Sequence, residues 1–177
     1  MKTLARFLAA SILLGTVLGC AQPKIAPVNM VDVSQAQILN LSPTEANVFS
    51  SGQPTKEQIQ ILANAGIKHI INLRPASEQD WDEGAYVRSL KMQYHAIPVS
   101  GIEGVTSENA KALDQLLKTL GTEPVLAHCS SGNRVGALKA LAEHEINGRD
   151  IEAAIVEGRR WGLKQLEPAV REKMEAK

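Results

Sequence analysis

Cysteine is scarce in this chain: Cys20 and Cys129 are the only two. A disulfide framework is excluded, so an apolar core has to hold the fold together. Aromatic residues are nearly as scarce, with two each of Phe, Tyr and Trp, and no run of Lys or Arg occurs. Without stacking faces or a basic stripe, nucleic acid is not an expected partner. Metal-ligand spacing is missing too. His69 and His95 have no cysteine or carboxylate partner at such spacing and read as core or edge histidines, and His144, late in a helix, complements that helix's dipole. Neither a metal nor an organic cofactor is expected. Internal repeats and low-complexity tracts are also absent.

What is present begins with "MKTLARFLAASILLGTVLGC". Lys2 and Arg6 precede an apolar run from Phe7 to Leu18, too short for a mature membrane span and placed where a secretory signal belongs. "VLGC" resembles the bacterial lipobox. That resemblance implies a leader over residues 1–19, cleavage before Cys20, and lipidation of the Cys20 thiol. The expected location is the periplasmic face of a bacterial membrane, with the lipid as the only membrane contact; a soluble periplasmic protein is the alternative. Lys2 and Arg6 leave with the leader, so 19 basic residues fall to 17 against 19 acidic ones. With Cys20 lipidated, Cys129 is the one free thiol in an oxidising compartment.

The remainder is long enough for one domain with a core and too short for two. Residues 20–42 carry two prolines and no sustained period, and read as a tether ahead of a domain over 43–177. In "TKEQIQILANAG", Thr55 and Gln58 stand in capping-box positions and Gly66 is a stop. "IKHIINL" reads as a buried strand, a charged helical segment runs from about Glu78 to Lys91, and "YHAIPV" reads as the next strand. "TSENAKALDQLLKTLG" places Ala110, Leu113, Leu117 and Leu120 on one helical face. "PVLAH" is a strand, Asn133 to Asn147 a helix, and a last helical stretch starts at Asp150 with a break expected near Gly158–Gly162 or Pro168. Such alternation implies an α/β fold of three layers, with a mainly parallel central sheet covered by helices on both faces. Ligands of such sheets bind beyond the carboxyl ends of the strands, where His128 and Cys129 stand.

The loop "HCSSGNRVG" turns from that strand into the helix. Gly132 permits the sharp turn. The backbone N–H groups of Ser130, Ser131, Gly132 and Asn133, with those of the first helical turn, converge into an anion cradle. The same helix end favours a thiolate at Cys129. Arg134 can close its planar fork over two oxygens of a tetrahedral anion. One residue attacks and the other neutralises charge, while His128 tunes the loop. Cysteine, four residues, then arginine resembles a cysteine-phosphatase loop shortened from its usual five intervening residues. It has the count of a rhodanese-type sulfurtransferase loop carrying a persulfide, so the loop alone does not decide between them.

"FSSGQPT", "GIKHIINLRP", "YHAIPV" and "CSSGNR", in that order over Phe49 to Leu163, resemble the beta-lactamase hydrolase-like phosphatase family. That family is a bacterial branch of the tyrosine and dual-specificity phosphatase fold. The resemblance implies a phosphatase-like fold and hydrolysis of a phosphate monoester, on a small molecule or a protein, through a cysteinyl-phosphate. A rhodanese-like sulfurtransferase would place a strand after the helix of the loop, where "GRDIEAAIVEGRRWG" reads as helix. An anion- or protein-binding module without turnover is the third possibility.

Two positions depart from the phosphatase pattern. The acid that protonates the leaving group is an aspartate after the "IPV" strand in this fold, yet the loop reads "SGIEGVTSE", with Ser100 nearest the expected place. Glu103 is the candidate acid, and Asp80, Asp82 and Glu83 are alternatives from another loop. Val135 stands where a hydroxyl residue usually follows the arginine, which implies slow turnover unless Ser130 or Ser131 substitutes. Gln53 is a candidate to approach the site from a neighbouring strand.

Overall fold

The computed structural model describes residues 27–176. The leader, its cleavage point and the lipidation of Cys20 lie outside the described residues. Five strands form one sheet in the order β1-β2-β5-β3-β4: β1 Ser42–Glu45, β2 Val48–Ser51, β3 His69–Asn72, β4 Gln93–Ala96 and β5 Val125–His128. Only the β1–β2 pair is antiparallel. β5 lies between β2 and β3, with His128 opposite both Ser51 and Asn72. β1 and β2 were not legible as strands, since β1 reads "SPTE" and two serines end the short apolar start of β2.

Alternation along the strands supplies both core faces. Val125, Ala127, Ile71 and Val48 point into one cluster, and Leu126, Ile70 and Phe49 into the other. The first cluster is covered by α4 Ser107–Leu120, α5 Asn133–Glu145, α6 Ile151–Arg160 and α7 Glu167–Glu175. The second is covered by α1 Met30–Gln35, α2 Lys56–Ala65 and α3 Glu83–Ser89. Each fully buried Leu or Ile here contributes about 1.5–3 kcal/mol of apolar transfer energy, and Ile59, Leu62, Leu126 and Leu138 are wholly inaccessible.

The α2 capping box forms as its sequence implies: Thr55 Oγ accepts from the Gln58 N–H, and the Gln58 side chain caps Thr55 in return. The segment after the Cys129 loop's helix is the helix α6, not a strand. Two expectations need correction. The charged segment after β3 is not one helix from Glu78: a 3-10 turn, Ala76–Glu78, comes first, and α3 starts only at Glu83 behind its Asp82 cap. The tether over 20–42 is not an extended leash from Val28 onward. Asn29 caps α1, and Val28, Val33, Ala36 and Ile38 are buried against α2. Apolar residues spaced over one short helix make no sustained period, yet they suffice to dock it.

α5 enters the protein so closely that its glycines matter. A Cβ on Gly136 would stand 2.2 Å from the Leu163 nitrogen and 2.5 Å from the Gly158 carbonyl oxygen. That close approach seats the α6–α7 connection beside the Cys129 loop.

Candidate active site

β5 ends at His128, and residues 129–132 turn into α5. Gly132 makes the turn with φ 85°, and its N–H donates to Cys129 Sγ at 3.1 Å. Cys129 is buried, 1% exposed, directly below the first turn of α5. The Gly132 N–H thus meets the sulfur at the positive end of a 13-residue helix, where negative charge is favoured electrostatically.

Neighbouring segments fix the loop through its backbone. The Cys129 N–H donates to the Ser51 carbonyl at 3.4 Å and the Gln53 N–H to the Ser130 carbonyl at 3.3 Å. Asn40, just after α1, donates to the Ser131 carbonyl at 3.0 Å. Thus the segment expected as a tether supports the loop. Asn133 accepts from the Lys164 N–H at 2.8 Å and donates to Gln165 Oε1 at 3.0 Å, tying the start of α5 to the α6–α7 connection.

Arg134 is 8% exposed. Its Nη1 and Nη2 donate to the two oxygens of Glu78 at 2.9 and 2.6 Å. Nη1 also donates to the Val99 carbonyl at 2.6 Å, and Nη2 to Ser130 Oγ at 2.8 Å. The Ser130 hydroxyl in turn donates to Glu78 Oε2 at 3.1 Å. Glu78 therefore takes the end of the fork with both of its oxygens, and Ser130 Oγ shares the same Nη2. Burial disfavours the Arg134 cation, but its bonds to Glu78 and the nearby Cys129 outweigh burial and raise its pKa. Hydrogen bonding from Arg134 holds the Glu78 carboxyl below the usual carboxylate value; Ser130 and Arg74 add to this and burial opposes it.

His128 has no solvent exposure and its Nε2 lies 2.7 Å from Glu83 Oε1, itself 1% exposed. Glu83 Oε2 accepts from Gln53 Nε2 at 2.9 Å and from Asn72 Nδ2 at 3.1 Å. Three donors satisfy one buried carboxylate, as a charge at that depth requires.

Of the residues singled out from the sequence, His128, Cys129, Ser130, Gly132 and Arg134 come together. Gln53 joins them, and Glu83 arrives as the partner of His128. Ser131 and Asn133 serve through backbone and scaffold contacts. Asp82 caps α3 and Asp80 is exposed. Glu103 is exposed on the turn after β4 and lines a groove with Ala169, Glu172 and Lys173. No hydrogen bond joins it to the described loop residues. Val135 is fully buried in the core, so no side-chain hydroxyl follows Arg134. Among the described residues, no group of three His, Cys, Asp or Glu could hold a metal ion. Sequence reading missed Glu78 and Arg74. Their one available signal was position, just beyond the carboxyl end of β3, and the surrounding run of charges concealed it.

The chain is similar to known proteins. A beta-lactamase hydrolase-like protein of Xylella fastidiosa is 37% identical over 105 residues, which are 56% of this chain and 23% of that one. The dual specificity protein phosphatase TpbA of Pseudomonas aeruginosa is 28% identical over 126 residues, 71% of this chain and 56% of its own. The chain thus spans about a quarter of the former and just over half of the latter. A Shewanella putrefaciens structure assigned to a phosphatase group (DUF442) superposes with a TM-score of 0.63 at 25% identity, covering 82% of this chain and 97% of that one. A family described as DSP-PTPase phosphatase fused to NAD+ kinase matches residues 20–164. With the cysteine loop, its arginine and the mainly parallel sheet in place, the chain belongs to that phosphatase family.

Proposed function

We propose that this chain is a cysteine-dependent phosphatase that hydrolyses a phosphate monoester through a cysteinyl-phosphate. The observation that carries the reading is the Cys129 sulfur, held by the Gly132 N–H at the start of α5 and interacting with Arg134. The Cys129 thiolate attacks phosphorus, forming a P–S bond as the P–O bond to the leaving group breaks. Arg134 and the loop N–H groups stabilise charge on the equatorial oxygens. Water then attacks phosphorus, the P–S bond breaks, and inorganic phosphate and the thiolate are released.

The departing oxygen needs a proton. Glu78 is ill suited to supply it, because Arg134 engages both of its carboxyl oxygens. Glu103 is the acid we propose, delivered by movement of the Gly101–Gly104 turn. Glu103→Gln should then slow substrates with poor leaving groups more than activated aryl phosphates. Equal slowing of both classes, or none, would remove Glu103 from the mechanism.

The substrate class proposed for the site is a dianionic phosphate ester, bound by the loop N–H groups and Arg134. A phosphorylated protein side chain and a small phosphate monoester both present it. The dual-specificity relative favours the protein. The leader and Cys20 support a lipid-anchored, periplasmic enzyme, tested by palmitate labelling that Cys20→Ser should abolish.

The first experiment assays the chain from residue 21 onward, under reducing conditions, for aryl phosphate hydrolysis and for sulfur transfer from thiosulfate to cyanide. Phosphate release abolished by Cys129→Ser is expected. Sulfur transfer without phosphate release would overturn the reading.

A further inference from the structure

The two carboxylates at the site hold opposite ends of the loop. Glu83 holds His128, the residue before the nucleophile, and Glu78 holds Arg134. A side-chain bridge joins them. Gln53 Nε2 donates to Glu83 Oε2 at 2.9 Å, and Gln53 Oε1 accepts from Arg74 Nη1 at 2.8 Å. Arg74 Nη2 donates to the Glu78 carbonyl, and Arg74 Nε faces Glu78 Oε2 at 3.6 Å. The chemistry fixes the amide's orientation: flipped, its carbonyl would meet a carboxylate and its NH2 a guanidinium.

Topology gives the bridge its reach. Gln53 follows β2 and Arg74 follows β3, the strands on either side of β5. The bridge therefore passes across the carboxyl end of the strand that carries Cys129. Asn72 braces it from beneath, accepting the Arg74 N–H at 2.7 Å while donating to Glu83.

We propose that Gln53 and Arg74 form one strut that couples Glu83 to Glu78 and keeps both ends of the catalytic loop in a common register. Both are positioning residues for the reaction, and the proposal rests on the phosphatase reading of the same loop. Without the strut, His128 and Arg134 are set independently, and the sulfur and the guanidinium lose their alignment on one phosphorus. Neither residue touches the substrate, so the cost comes through Arg134 and the loop, and falls on phosphate binding as well as on kcat.

The test is a double-mutant cycle of Gln53→Met and Arg74→Met, with kcat and KM for an aryl phosphate and the melting temperature of each protein. Each single variant should lose about 10–100-fold in kcat/KM, the scale of a misplacement near 1 Å. The double variant should lose no more than the worse single one, because one strut can be cut only once. Gln53→Ala makes the same cut with a smaller side chain, so a folding failure of Gln53→Met still leaves a decisive variant. The cycle is repeated in the Cys129→Ser background, with affinity for inorganic phosphate as the readout. Additive losses, or singles equal to the parent, overturn the strut. A parent without Cys129-dependent turnover overturns the phosphatase reading instead, and the phosphate affinities still decide the strut.

Discussion

Two histidine–glutamate pairs of nearly equal length sit at opposite ends of the sheet. His128 and Glu83 are 2.7 Å apart at the carboxyl end, with side chains 0% and 1% exposed. His69 and Glu123 are 2.9 Å apart at the amino end, 7% and 50% exposed. The strand register makes the contrast sharp, since His69 faces the first residue of β5 and His128 is its last. The pairs differ in what lies beyond them. The second oxygen of Glu83 takes donors from Gln53 and Asn72 and so connects with Arg74, Glu78 and Arg134. Glu123 is half in solvent, and the other nitrogen of His69 meets only His95, at 3.2 Å. A histidine–carboxylate pair thus acquires a role from its further connections, not from its own geometry.

Removal of each carboxylate should separate the pairs most widely. Glu83→Ala leaves His128, Gln53 and Asn72 with unpaired donors in a site without solvent, at a cost of about 3–5 kcal/mol. Glu123→Ala removes a half-exposed partner and should cost about 1 kcal/mol or less. Urea denaturation of the two variants measures the difference, and equal losses would remove the distinction. Activity should follow the same division, falling with Glu83 and holding with Glu123.

Next in size is Glu78→Gln. The amide keeps one acceptor for Arg134 but loses the charge and the two-point fork. kcat/KM should fall about tenfold or more while the fold persists, since the Glu78 side chain is one-third exposed. Steady-state kinetics beside a thermal melt will show it. A rise in activity would mean that Glu78 shields Arg134 from substrate instead of aiming it. Gly136→Ala probes packing behind the loop. Its Cβ would overlap the Leu163 backbone, so α5 must shift, costing about 1–3 kcal/mol by overpacking. The melting temperature should drop, and the Asn133 contacts to Lys164 and Gln165 should loosen with it.

The loop itself was legible in the sequence because its chemistry is local. A strand end, a helix start, a glycine between them and one cysteine and arginine fix Cys129, Gly132 and Arg134 within six residues. β3, α2, α4 and the break between α6 and α7 were legible through periodicity and caps. What sequence could not carry depends on contacts between distant segments. Glu78 reaches Arg134 across 56 positions and Glu83 reaches His128 across 45. The docking of α1 depends on apolar residues of α2 that its own short sequence does not announce. β2 is an interior strand of the sheet yet reads "VFSS", with Ser50 and Ser51 buried where a sequence pattern expects aliphatic residues.

The amino-end pair offers the smallest effect, visible only through pH. Burial lowers the pKa of His95, and the charge of His69 lowers it further. A histidine whose folded value lies below its unfolded one binds more protons when unfolded. The stability gained by keeping it neutral is therefore complete above its ordinary value of 6.5 and declines as pH falls from there toward the folded value. Stability of the parent should accordingly decrease on acidification below about pH 6.5, and His95→Gln should flatten that limb of the curve. Denaturation at pH 7.5 and at successively lower pH, stopping above the carboxylate range, measures it. Because Glu78, Glu83 and His128 are untouched by this variant, kcat at neutral pH should match the parent's. A loss of kcat in His95→Gln would show that the two ends of the sheet communicate, and the contrast between the histidine pairs would then fail.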